Sequence, residues 1–144
     1  MSHEVFTQDW AVAWGEAIRA SDAYRAAAQR WQWPMVIIMT FDPALGLPER
    51  AVFLDLFEGS CREARSATET DRAAVPYILS GDFETWKQVL ERELDPILAL
   101  MTLKLKLAKG SIAALLPYVT AARELVATAA QVPYCFPDGV SEGA

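Results

Sequence analysis

Histidine is nearly missing from this chain: His3 is the only one in 144 residues. It lies at the N-terminal end, so no serine or cysteine nucleophile has a credible base beside it. Cysteine is almost as scarce. Cys61 and Cys135 stand far apart and form neither a metal-binding pair nor a disulfide framework, so both read as inert reduced thiols. Zinc sites need clusters of histidine and cysteine, and none is present. Neither glycine-rich phosphate cradle occurs, the P-loop or the dinucleotide fingerprint, and no cofactor is expected. Positive charge is also short, with 19 acids against 13 bases and a net charge of −6. Without a Lys/Arg stripe to override that balance, nucleic acid is not a partner. Long apolar runs are lacking too. The longest uncharged stretches, 110–122 and 125–137, span 13 residues each, and a membrane-crossing helix needs about 20. The opening Met-Ser-His-Glu-Val has no basic flank or apolar core of a signal peptide. The expectation is a cytoplasmic protein without a transmembrane segment.

What is present is apolar. Hydrophobic residues make up 53% of the chain and charged residues 22%, against an ordinary apolar share of about 45–50%. Alanine supplies 24 of them, which tempers the excess. The length suits one domain, with a core that needs no disulfide or metal. The composition is the opposite of a disordered chain.

Periodicity divides the chain. Trp10, Ala13, Trp14, Ala17 and Ile18 line one face of a first helix, with Thr7 or Asp9 as its cap. Ser21 caps a second short helix that buries Tyr24. Residues 35–41 form a short β-branched run, read as a strand. A second strand covers 50–57, and the Glu58-Gly59-Ser60 turn leads into an antiparallel third strand at 61–66. Residues 68–72 read as a loop or helical turn, and 75–80 as a fourth strand at an edge or strand start because of Pro76. Asp82 then caps a helix carrying Phe83, Trp86, Val89 and Leu90, and Asp95-Pro96 opens another with Ile97, Leu98, Leu100 and Met101. Leu103-Lys104-Leu105-Lys106-Leu107 alternates strictly, which predicts a strand with leucines inward and lysines outward. Ser111 caps a last helix with Ile112, Leu115, Leu116, Val119 and Ala122 on one face, kinked by Pro117. Residues 133–144 read as a flexible tail after a single domain over 1–132. Grouped strands with helices before and after predict an α+β fold: a mostly antiparallel five-stranded sheet with helices packed on one face.

Carboxylates do not assemble into an acid–base pair. Glu91, Glu93 and Asp95 lie two apart and do not share a helix face. Asp55 interrupts an apolar strand and is expected to face water near Lys104 or Lys106, on a polar outer surface shared with Glu63 and Arg65. Of the five tryptophans, Trp10 and Trp14 are assigned to the core and Trp31 and Trp33 to a partly exposed strand approach. Trp86 fits core packing and ligand contact equally.

The order of motifs from Arg50 onward resembles the sterol carrier protein type two family, in its stand-alone prokaryotic form. The residues that carry the resemblance are Phe53-Leu54-Asp55-Leu56-Phe57-Glu58-Gly59, then Phe83 and Trp86, then Leu94-Asp95-Pro96-Ile97-Leu98-Ala99-Leu100-Met101-Thr102. Lys104-Leu105-Lys106-Leu107 and Gly110-Ser111-Ile112-Ala113 complete it. The chain departs from the family pattern at Leu103, which replaces a glycine, at Ser111, which replaces Asn or Asp, and by one extra residue, most simply Ala108. An insertion there is expected to bulge the strand. The resemblance implies helices enclosing a hydrophobic tunnel that carries a sterol, fatty acid or fatty acyl-CoA without chemistry. On that basis the ligand-binding residues are expected to be Trp86, Leu90, Ile97, Leu100, Met101, Ile112, Leu115, Leu116 and Val119. The competing reading is a protein-interaction module whose apolar surplus covers a homodimer or partner interface.

Overall fold

A computed structural model describes residues 2–137. The chain runs β1 (His3–Glu4), α1 (Gln8–Ala20), α2 (Asp22–Ala27), β2 (Met35–Met39), β3 (Arg50–Phe57) and β4 (Ser60–Ser66). It continues through α3 (Glu69–Ala74), β5 (Tyr77–Gly81), α4 (Phe83–Leu90), α5 (Pro96–Met101) and β6 (Leu105–Lys109). It closes with α6 (Ile112–Leu115), a 3-10 turn (Leu116–Tyr118), α7 (Val119–Gln131) and β7 (Tyr134–Cys135).

Five strands form one sheet in the order β4-β3-β2-β5-β6. Every pairing is antiparallel except β2 with β5. The central strand β2 is buried at all five positions, which explains its unbroken apolar run. Alternation sends Met35, Ile37 and Met39 to the main core, while Val36 and Ile38 join Val75 and Ile78 in a smaller cluster on the other face. The β3–β4 hairpin turns on Glu58 and Gly59, both at positive φ, as a two-residue turn that matches strand twist requires. A Cβ at Gly59 would lie 2.6 Å from the Arg25 carbonyl oxygen.

The helix starts follow the sequence reading. Thr7 accepts from the Trp10 amide at 3.3 Å, Ser21 from Tyr24 at 3.0 Å and Asp82 from Thr85 at 2.8 Å. Asp95 caps α5 with Pro96 in its first turn. Ser111 is the exception: it stands at the start of α6, but its side chain does not make the capping bond expected of it. Pro117 divides the last helix, as its lost donor demands. Together Ile112–Gln131 is long and apolar enough, by length and composition, to cross a membrane; here α7 packs against α1, α2, α4 and α5.

Several expectations are corrected. Strand β6 begins at Leu105, and Leu103 stands outside it at φ +63° and 67% exposed; the leucine that turns inward at the start is Leu105. Ala108 has no partner in the register, since Lys109 pairs with Ile78 and Leu107 with Leu79, so the expected bulge is there. Of the two positions Pro76 allowed, an edge or a strand start, the structure has the second: β5 is interior and Pro76 immediately precedes its first paired residue. Residues 68–72 belong to a capped helix, α3, closed by the reciprocal Thr68–Asp71 bonds. Asp55 does face outward, but its partner is Arg62 across the hairpin at 3.1 Å; β6 lies at the opposite edge of the sheet, so its lysines are out of reach. Trp31 is buried, and only Trp33 is partly exposed. Near the termini, β1 pairs in parallel with β7, and Tyr134 and Phe136 are buried. The expected tail therefore contributes to the core as far as Phe136, while 138–144 lie outside the described residues.

Candidate functional site

Between the sheet and the helices lies an apolar cavity of about 100 Å³. Its floor is the helix-facing side of four strands: Met35 and Ile37, Leu56, Leu79 and Leu105. Its walls come from Trp14, Tyr24 and Trp31, from Trp86 on α4, and from Pro96, Ile97 and Leu100 on α5. The roof is Leu115 and Tyr118, then Ala121, Ala122, Leu125 and Val126 of α7. Small alanines at the roof leave the space open, because they extend too little to reach the floor.

The wall's polar atoms are largely spoken for. Trp86 Nε1 donates to the Ile38 carbonyl at 2.9 Å, Trp31 Nε1 to the Trp33 carbonyl at 2.6 Å and Trp14 Nε1 to Thr128 Oγ1 at 3.0 Å. The Tyr118 hydroxyl donates to the Arg30 carbonyl at 3.4 Å. Burial pushes the Tyr24 phenol above its ordinary range, which keeps it neutral. Indoles satisfied behind the wall leave ring faces and aliphatic carbon toward the cavity, a surface suited to hydrocarbon. Close packing positions Trp86: a Cβ at Gly81 would lie 2.5 Å from Leu105 Cδ2 and 3.2 Å from Trp86 Nε1.

Next in sequence to the wall residue Pro96, Asp95 holds two roles. It caps α5 through the Ile97 and Leu98 amides and accepts from Arg123 Nε at 2.8 Å. The Arg123 guanidinium therefore holds the Asp95 carboxyl below the usual range. On the outer face of the sheet, Arg65 pairs with Asp71 at 2.5 Å and stacks on Phe53. Hydrogen bonds from Arg65 and then Thr68 push the Asp71 carboxyl far down. Cys61 is fully buried, and burial raises its thiol to about 11, which removes it as a nucleophile at neutral pH. Among the described residues no group of histidine, cysteine and carboxylates could hold a metal ion.

No protein-family profile and no curated protein matches this chain. Solved structures do. A crystal structure of sterol carrier protein 2 is 41% identical, with a TM-score of 0.81, covering 90% of this chain and 99% of that one. The chain belongs to the sterol carrier protein 2 family. A Thermus thermophilus protein described as possibly a sterol carrier protein is also 41% identical, with a TM-score of 0.78 over 90% of this chain and 93% of its own. The apo form of sterol carrier protein 2 from Yarrowia lipolytica shares the fold at 16% identity, with a TM-score of 0.57 over 87% and 88%.

Within this sterol carrier protein 2 fold, Trp86, Ile97, Leu100 and Leu115 of the expected residues stand on the cavity wall. Leu90 is buried off the wall, and its carbonyl accepts from the Tyr134 hydroxyl. Met101, Ile112 and Leu116 are exposed, and Val119 is half-buried away from the wall. The helical phase explains the shift. The expected stripe of 112, 115, 116 and 119 is rotated from the one that meets the cavity, and the two overlap at Leu115. The stripe that meets the cavity is Tyr118, Ala121, Ala122, Leu125 and Val126, a clean i, i+3, i+4, i+7, i+8 series. That series was readable in the sequence, although Arg123 and Glu124 interrupt it. The floor residues carried no such signal, because a strand does not reveal which side a neighbouring helix covers.

Proposed function

We propose that this protein is a non-enzymatic carrier of an apolar or amphipathic lipid: a sterol-like molecule, a fatty acid or a fatty acyl-CoA. The observation that carries the reading is the cavity, walled by carbon, with its indole donors engaged elsewhere, in a family whose members are named sterol carriers. Binding would be driven by hydrocarbon burial at about 25 cal/mol per Å², less the cost of ordering the ligand. At about 100 Å³ the cavity is smaller than the roughly 300–1,000 Å³ of occupied ligand pockets, so the ligand must part the roof. The short helices α5 and α6 are the yielding side, since α6 buries no residue and α5 buries only Ala99 and Leu100. A tunnel would be the open form of this cavity, and the cytoplasm its setting.

Native mass spectrometry of freshly purified protein, followed by titration of the delipidated protein with a fluorescent fatty acid, tests this. One bound lipid per chain is expected. A delipidated protein that takes up neither fatty acid nor sterol, and that is an obligate dimer, would overturn the carrier in favour of an interaction module.

A further inference from the structure

We propose that Arg92 and Arg123 form a head-group site for the anionic end of a chain-like lipid, a carboxylate or a phosphate, in a second cavity beside the carbon-lined one. The inference rests on the carrier reading and narrows it: the ligand is an acid with a hydrocarbon tail, not a neutral sterol.

The second cavity has a volume of about 180 Å³ and lies where the end of α4 meets the start of α5 and the middle of α7. Pro96 and Val126 line it, and both also line the carbon-walled cavity. The two spaces therefore share a wall, contributed by α5 and α7. Their characters differ. The first offers carbon, with indole donors engaged elsewhere. The second holds the charged residues Arg92, Asp95 and Arg123. An amphipathic molecule needs one environment of each kind at adjacent positions. Neither space alone reaches the roughly 300 Å³ at which occupied ligand pockets begin, and together they approach it.

Charge in the second cavity is unbalanced. Asp95 is committed: one carboxylate oxygen accepts from the Ile97 and Leu98 amides at 3.0 and 3.1 Å, and the other from Arg123 Nε at 2.8 Å. Arg123 Nη2 stands 3.5 Å from the same carboxylate, and Nη1 keeps its donors free among the described residues. Arg92 makes no side-chain hydrogen bond or ion pair among them. Two guanidiniums against one carboxylate leave a positive excess here, within a chain of net charge −6. Glu91, Glu93 and Glu124 flank the arginines in sequence, but none of them lines the cavity. Two forked donors on one small space are the arrangement that recognises a carboxylate or a phosphate.

Arg92 is also where the backbone is strained. It stands just past the end of α4 at φ +65°, the left-handed position that closes a helix and that glycine ordinarily takes. Its side chain is exposed and returns no bond to the fold for that conformation. What arginine supplies there, and glycine would not, is a guanidinium on the cavity wall. A free anion fits less well than a lipid head, because the shared wall sets hydrocarbon-lined space directly beside the site.

Titration of the delipidated full chain with dodecanoate, dodecyl phosphate, dodecanol and inorganic phosphate, followed by tryptophan fluorescence and calorimetry at low salt, tests the proposal. Dodecanoate or dodecyl phosphate should bind about tenfold or more tightly than dodecanol, as one charge-assisted hydrogen bond predicts. Salt should narrow that gap, and whichever acid binds more tightly names the head. Arg92→Gln and Arg123→Gln should each weaken the acid about tenfold and leave dodecanol unchanged, and the double variant should remove the preference. Arg92→Gly separates the site from the fold. It relieves the left-handed strain, so it should raise Tm while weakening the acid as Arg92→Gln does. Arg62→Gln, which removes an equal charge from the pair with Asp55 on the outer face of the sheet, should keep the preference. Equal affinity of the parent for both acids and dodecanol overturns the head-group site and leaves the carrier standing. Parental affinity for the acid in the double variant overturns it too. Inorganic phosphate held by the two arginines, with no uptake of any twelve-carbon chain, assigns a free-anion site instead and sinks the carrier reading with the proposal.

Discussion

Ala122 offers a direct test of the cavity because it points a single methyl into the space beneath α7. Replacing it with phenylalanine fills a void that the native protein leaves empty. Cavities destabilise by about 24 cal/mol per Å³, so filling the whole of the roughly 100 Å³ is worth at most about 2.4 kcal/mol. Imperfect fit subtracts from this, since overpacking costs about 1–3 kcal/mol where side chains must leave their rotamers. The smaller Ala122→Leu avoids most of that cost and should gain about 1 kcal/mol, a rise of about 2–4 °C in Tm for a chain of this size. Both variants should lose fatty-acid uptake, phenylalanine by more than tenfold and leucine by less. The assay pairs calorimetry with titration of a fluorescent fatty acid, and Ala20→Phe on the exposed end of α1 serves as the control. A folded, stabilised Ala122→Phe protein that still binds one fatty acid with parental affinity would refute the assignment of the cavity as the binding site. Unchanged Tm in both variants would show that the space is already filled by side-chain motion.

Leu115→Arg should abolish uptake and cost about 2–4 kcal/mol in urea denaturation, because it drives a charge into the carbon-lined roof. Arg123→Ala should spare dodecanol uptake, and its effect on the fold falls mainly on the capped start of α5, where it releases Asp95. Acid sensitivity follows from the two depressed carboxylates. Asp71 and Asp95 have lower pKa values folded than unfolded, so their stabilisation is full above the ordinary carboxylate range near pH 4 and is lost as pH falls through the folded values. Asp71→Asn should flatten that acid limb of the stability profile, and a parent whose Tm holds constant from pH 6 to pH 2 would contradict the pairing. A thiol reagent at pH 8 should modify Cys135 first and Cys61 only on unfolding, since Cys61 is fully buried and its thiol is raised to about 11. Above the ordinary thiol range the same shift destabilises the fold as pH rises toward that value.

Local chemistry made much of the architecture legible in advance. Caps at Thr7, Ser21, Asp82 and Asp95 bond as their side chains suggest, because a cap depends on residues within one turn. The unbroken run of β2 and the break at Pro117 follow from burial on both faces and from a missing donor. Strand alternation was less secure. The Leu103–Leu107 pattern placed the start of β6 two residues early, since alternation is equally satisfied by a leucine that points at solvent from a left-handed turn. Four of the eighteen residues that line the cavity, Trp86, Ile97, Leu100 and Leu115, were among those expected. On α4 and α5, Trp86, Ile97 and Leu100 reach the wall while Leu90 and Met101 do not, and on the last helix the expected stripe meets the wall only at Leu115.

Read alone, the residues pointed to apolar contacts rather than to a reactive cluster. With one histidine, scattered cysteines and no phosphate cradle, the readable features were apolar periodicity and a family-like order of motifs. The sequence also determined the acid-free span between Asp95 and Glu124, which any fold would carry. Packing between elements sets which apolar residues enclose space and which fill it. That distinction depends on where strands and helices meet: Ala122 and Leu105 both line the void, while Leu90 is buried away from it. Packing also leaves Leu98 and Leu103 with nothing to cover them. Periodicity reports a helix or strand face, but whether that face meets core, cavity or water is a property of its neighbours.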